Sequence, residues 1–143
     1  MPRIRLTPLA RSGRIRKKMK VVAAIIKRSG RVLLAQRKDR IQGWEFPGGK
    51  VEVDETPEQA LIREIREELG VEVRILNYLA TVSLPDNPKA RLLAYAVKLQ
   101  EDNLKLNSHL QFSWVKPEDL LNFKLLPADR KLVEKLITKN LLP

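Results

Sequence analysis

Gly49-Lys50-Val51-Glu52-Val53-Asp54-Glu55 runs into Thr56-Pro57-Glu58-Gln59, and Glu55 is followed, after seven intervening residues, by Arg63-Glu64-Ile65-Arg66-Glu67-Glu68-Leu69-Gly70-Val71. Thr56 reads as an N-cap, Pro57 suits the first helical position, and Gln59 closes a capping box. Leu61, Ile65 and Leu69 recur every four residues with Ile62 beside them, and Gly70 is placed to stop the helix, so the spacing predicts a helix over 57–69. Glu64, Glu67 and Glu68 then emerge on one side of it, next to the apolar stripe. A solvated Glu-rich face with an ordinary Arg63–Glu67 pair would also explain this pattern. The preceding loop, Trp44-Glu45-Phe46-Pro47-Gly48-Gly49-Lys50-Val51-Glu52, argues against so plain a reading. Its glycines let the backbone approach a ligand and present a carbonyl, and all-oxygen ligation by carboxylates and a carbonyl suits Mg²⁺ or Mn²⁺. The chemistry suggested is metal-assisted attack on a phosphate.

Outward from this stretch, Val21–Ile26 and Val32–Ala35 are β-rich runs split by Ser29-Gly30, a predicted hairpin. Val71–Leu84 and Ala90–Leu99 read as two strands joined across Pro85-Asp86-Asn87-Pro88, and Leu110–Val115 as a short one. Pro117–Leu121 reads as a short helix, and Pro127–Lys139 as a closing amphipathic helix with Leu132, Val133, Leu136 and Ile137 inward. Strands interleaved with helices imply an α/β (α+β) fold, a mixed β-sheet between helices.

The chain has 143 residues and no cysteine, which suffices for one core and excludes thiol nucleophiles, disulfides and cysteine-ligated metal. A single histidine, His109, makes a His-rich metal site or a Ser-His triad unexpected. No run is long enough to span a bilayer and no signal peptide is legible, so a cytoplasmic location is expected. The net charge of +11 is unevenly spread: residues 1–20 hold eight basic residues and no acidic one, whereas 45–72 hold nine acidic against three basic. The expected organisation is therefore a basic, loose N-terminal leader over 1–20 and a catalytic domain over 21–143. The leader could attract RNA, although it has no aromatic residues to specify a target.

The spacing Gly49, Glu55, Arg63-Glu64-Ile65-Arg66-Glu67-Glu68-Leu69-Gly70-Val71 matches the Nudix box in every fixed and both apolar positions. Val32–Arg37, Trp44–Lys50 and Leu126-Pro127-Ala128-Asp129 resemble the MutT and CTP pyrophosphohydrolase branch of the Nudix hydrolases, so the likeness runs from Val21 onward. The resemblance implies a Nudix-like α/β/α sandwich. It also implies a Mg²⁺- or Mn²⁺-dependent pyrophosphohydrolase that converts a nucleoside triphosphate to monophosphate and pyrophosphate, cleansing the nucleotide pool. By the same resemblance Glu64, Glu67 and Glu68 would be metal ligands, with Glu64 or Glu68 deprotonating the water. The Gly48 carbonyl would complete a metal's shell, Arg63 would orient the catalytic Glu, and Glu55 and Gly49 would support it. Arg37 and Lys50 would contact substrate phosphates.

Asp129 stands where MutT has an Asn that reads 8-oxo-dGTP. An ionised Asp only accepts hydrogen bonds, which favours the amino group of cytosine or adenine, so the expected substrate is (d)CTP or a modified dNTP, with 8-oxo-dGTP close behind. Alternatively Asp129 caps the last helix. Phe46, Phe123 and Leu125 are candidates to flank the base. Many relatives carry a Glu-His pair where this chain has Ser108-His109, and a serine neither serves as base nor adds ligand charge. That departure, with the leader, keeps open a non-catalytic nucleotide- or RNA-binding role. Pro85 and Pro88 keep open hydrolysis of ADP-ribose or of a dinucleoside polyphosphate. Trp44 and Trp114 are expected to be packing residues, and His109 a partly buried or surface residue rather than a ligand.

Overall fold

The structure is a computed structural model that describes residues 19–143. Of the basic leader only Met19 and Lys20 are described, and the rest lies outside the described residues. The strands are β1 (Lys20–Arg28), β2 (Arg31–Arg37), β3 (Trp44–Glu45), β4 (Gly48–Lys50), β5 (Val73–Leu84), β6 (Asn87–Leu99) and β7 (His109–Val115). The helices are α1 (Pro57–Leu69) and α2 (Pro127–Thr138), with a 3-10 helix at Pro117–Asn122.

β1 sets the layering. Its Ala23 and Ile25 face the core built with Leu132, Val133 and Leu136 of α2, while Val22, Ala24 and Ile26 face the core built with Leu61, Ile65 and Leu69 of α1. A strand covered on both faces must read as a continuous apolar run, as this one does. The sheet is mixed, in the order β3-β2-β1-β6-β5, with β1 and β6 parallel, β4 added to β1 and β7 to β2. The fold is the expected α/β/α sandwich.

One edge of β1 is shared. β4 pairs with its first residues, Val21–Ala23, and β2 with its last, Lys27 and Arg28. In the gap between them the Pro47 carbonyl accepts a hydrogen bond from Ala24 N at 2.8 Å. This split places the Phe46–Gly49 turn against the middle of the sheet, facing α1.

α1 follows its sequence signals residue for residue. Gln59 N donates to Thr56 Oγ1 at 3.1 Å, Thr56 N donates to Gln59 Oε1 at 2.9 Å, and Gly70 ends the helix at φ 67°. Ile65 and Leu69 are fully buried, so truncating either to Ala would cost about 2–5 kcal/mol.

Three expectations are corrected. Ile137 is 47% exposed, because it lies at the border of the inward stripe of α2. Asp129 does not cap α2, whose N-cap is Leu126 without a side-chain hydrogen bond. The β5–β6 turn has only two residues, Pro85 and Asp86. Pro88 falls in β6, at a register irregularity where Arg91 Nη1 donates to the Pro88 carbonyl at 2.6 Å.

Candidate active site

Two glycines let β4 meet α1. A Cβ on Gly48 would overlap the Val22 carbonyl of β1, and one on Gly49 would overlap the Glu64 carboxylate. Only a bare backbone fits between β1 and the acidic face of α1. Gly48 N in turn donates to Glu68 Oε1 at 3.3 Å.

Arg63 organises the carboxylates around this contact. It grips Glu55 with both Nε (2.7 Å) and Nη2 (3.0 Å), reaches Glu64 Oε2 from Nη1 at 3.1 Å, and donates from Nη2 to the Lys50 carbonyl at 3.0 Å. These partners push its proton affinity further up and hold Glu55 below the usual carboxylate range. Such a fork fixes planar geometry that a lysine could not.

Glu68 is the carboxyl that Arg63 does not reach. Burial raises its pKa to about 9, assisted by its hydrogen bond with the Glu64 carboxyl and by Glu64's charge, against which the Gly48 N–H acts. Two carboxyls side by side in a half-buried site beside a glycine turn form an all-oxygen donor set suited to a hard divalent cation, which would replace the Glu68 proton. The residues therefore fit such a metal. Glu67 lies outside this pair: its carboxylate is exposed and sits 3.4 Å from Arg63 Nη1. Among the described residues no three acidic or imidazole groups converge, so Glu64 and Glu68 meet and Glu67 would have to swing inward.

Beside the glycine turn lie two adjoining clefts of about 300 and 200 Å³. Arg37, Glu45 and Asp129 line both, Pro85 and Asp86 line the larger, and Gly48, Gly49 and Lys50 line the smaller. Asp129 is 7% exposed and its Oδ1 accepts from Phe46 N at 3.0 Å. Burial pushes its pKa to about 7, with the Phe46 N–H opposing and Glu45's charge reinforcing the shift. Phe46 also lines the smaller cleft, but its side chain is 4% exposed and packs in the α2-side core. Phe123 and Leu125 line neither cleft: Phe123 packs edge-on against Trp44 at 5.1 Å, and Leu125 is buried. Leu126 is the residue of that segment that reaches the larger cleft.

A family model described as NUDIX domain matches residues 16–136. The chain belongs to the Nudix family. This Nudix chain is 43% identical over 122 residues to the CTP pyrophosphohydrolase of Escherichia coli K12, covering 82% of itself and 90% of that protein. It is 40% identical over 115 residues to the putative 8-oxo-dGTP diphosphatase 2 of Mycobacterium tuberculosis, covering 77% and 82%. Among solved structures, the Escherichia coli ORF135 protein aligns with a TM-score of 0.73 at 40% identity, over 87% of this chain and 91% of that one. The MutT protein of Methanosarcina mazei aligns at 0.72 and 26%, over 88% and 97%.

Within this Nudix site the structure adds two residues that sequence reasoning did not single out as a pair. Glu45 Oε1 lies 3.3 Å from Arg37 Nη1, and its Oε2 lies 2.8 Å from His109 Nε2. His109 is 5% exposed, so it is a buried partner of Glu45 rather than a surface group. Glu45 carries no spacing signal. Only the pairing of β3 with β2 (Ala35↔Glu45) and of β2 with β7 (Arg37↔His109) assembles the trio.

Proposed function

We propose that this Nudix hydrolase is a Mg²⁺- or Mn²⁺-dependent nucleoside triphosphate pyrophosphohydrolase that releases nucleoside monophosphate and pyrophosphate, preferring (d)CTP or modified dNTPs such as 8-oxo-dGTP. The observation that carries it is the Glu64–Glu68 carboxyl pair, packed on Gly48 and Gly49, with Arg63 fixing one member and, among the described residues, no basic group reaching the other. Glu64, Glu68 and the Gly48 carbonyl would hold the metal, joined by Glu67. A divalent ion held there would supply positive charge for the polyphosphate and would make water a better nucleophile. Glu64 or Glu68 would take the proton of the attacking water. Arg63 keeps the Glu64 carboxylate aimed, and Glu55 keeps Arg63 aimed. Lys50 and Arg37 supply cations along the clefts for phosphate oxygens.

The larger cleft supports the base preference. When ionised, Asp129 and Glu45 offer only acceptors, which suit the exocyclic amino group of cytosine or adenine; a protonated Asp129 would instead donate to a carbonyl such as guanine O6. Names of relatives that act on CTP and on 8-oxo-dGTP support the same two candidates. The test is incubation with NTPs, dNTPs, oxidised dNTPs, ADP-ribose and dinucleoside polyphosphates plus Mg²⁺, following monophosphate and pyrophosphate. Release from CTP or dCTP ahead of the other triphosphates is the expected result. No triphosphate turnover, or faster AMP release from ADP-ribose, would overturn the proposal.

A further inference from the structure

The last carbonyls of a helix have no partner within it and are left to water unless another segment supplies donors. In α1 these belong to Glu67, Glu68 and Leu69, two of which are the proposed metal carboxylates. All three are taken by the connection from β6 to β7: Asn107 Nδ2 donates to Glu67 O at 3.0 Å, Asn107 N to Glu68 O at 3.2 Å, and Lys105 N to Leu69 O at 2.8 Å. The connection is held on either side. Asp102 pairs with Arg28 at 3.1 Å, Arg28 lies over Trp114 at 4.7 Å, and Leu104 packs against the α1-side core. Two residues beyond Asn107, His109 hydrogen-bonds Glu45 on the opposite wall.

We propose that Asn107 is a positioning residue for the metal-bearing turn of α1. One residue clamps two successive carbonyls, one by its side-chain amide and one by its backbone N–H. Two such bonds resist fraying and fix the rotation of the last turn about the helix axis, which sets where the Glu67 and Glu68 side chains point. Asn107 itself touches neither the clefts nor the carboxylates. The inference rests on the metal-dependent reading above, and it assigns the aim of the ligands to a loop residue outside the Nudix box.

The test compares wild type with Asn107→Ala and Asn107→Asp, the second keeping the shape while losing the donor. Mn²⁺ binding is read from the electron paramagnetic resonance signal of free Mn²⁺, beside the Mg²⁺ dependence of triphosphate hydrolysis. Both variants are expected to bind Mn²⁺ about tenfold more weakly and to regain most of kcat at high metal with KM for nucleotide unchanged. Mn²⁺ binding equal to wild type in either variant would overturn the proposal. Should the variants fail to fold, amide exchange in the metal-free wild-type chain decides. Slow exchange of the Lys105 and Asn107 amides supports the clamp, and exchange at the rate of an open loop refutes it. Absence of hydrolysis by wild type would refute the proposed activity instead, leaving the Mn²⁺ comparison to judge Asn107.

Discussion

Replacing Glu68 by Gln separates the cost of the site from its use. In the metal-free protein burial and the adjoining Glu64 raise the Glu68 pKa to about 9 from an ordinary 4.5. The unfolded chain therefore releases this proton near pH 4.5 while the folded chain keeps it, so stability present at low pH is lost progressively as pH rises toward 9. At about 1.4 kcal/mol per pH unit, the loss between pH 4.5 and 7 is about 3 kcal/mol. Glutamine has the same shape, cannot ionise, and offers an oxygen to Gly48 N and an amide hydrogen to Glu64. Glu68→Gln is therefore expected to match wild type near pH 5 in EDTA and to exceed it by about 3 kcal/mol at pH 7. Saturating Mg²⁺ should reverse the order, stabilising only the chain that keeps both carboxylates, while hydrolysis by the variant is nearly abolished. Urea unfolding at pH 5, 6, 7 and 8, with EDTA and with Mg²⁺, reads all of this. Parallel stability profiles of the two proteins in EDTA would refute the reasoning.

Arg63→Lys keeps the charge but loses the fork on Glu55, so kcat is expected to fall about 100-fold with the fold intact, measured by steady-state kinetics and thermal melting. Asp129→Asn adds a donor and removes a titration; the kcat/KM ratio of CTP to 8-oxo-dGTP should fall about tenfold. In wild type that ratio should rise as pH passes about 7, where buried Asp129 loses its proton, and in the variant it should stay flat across pH 6–8. Ser108→Glu places a carboxylate on the exposed residue between the Asn107 clamp and the His109–Glu45 contact. Tighter Mn²⁺ binding in a direct titration is expected, and unchanged binding would show that position 108 does not face the metal.

What was legible in the sequence follows from the range of the interactions. α1 could be read to the residue because its capping box, its four-residue apolar period and its terminal glycine are all local. Glu64 and Glu68 were legible for the same reason, since helix spacing alone puts them side by side. Glu45, His109 and Arg37 were not legible as a trio, because a register irregularity in β2 between Gln36 and Arg37 sets Arg37 opposite His109. Asn107 was equally hidden: a loop has no period, and its partners lie 40 residues away. Phe46 lines the smaller cleft, yet the split edge of β1 sends its side chain to the core and its backbone N–H to Asp129, a long-range placement that no local pattern announces.

The acidic segment leaves one carboxyl in particular without a fixed cation among the described residues. Arg66 takes Glu72 with both Nε and Nη2, at 2.6 and 2.8 Å, and Arg63 takes Glu55, Glu64 and Glu67. Each of these carboxylates has a fixed positive partner from the segment itself. Glu68, facing the glycine turn, has among the described residues only a backbone N–H and another carboxyl, and its burial favours the protonated form where its neighbours have an arginine. A fixed cation at that place would stabilise the apo fold but would occupy the space that phosphate and water need. Leaving Glu68 without one makes the fold pay in stability at neutral pH and, on the proposed function, would leave the position to a divalent metal shared with a polyphosphate.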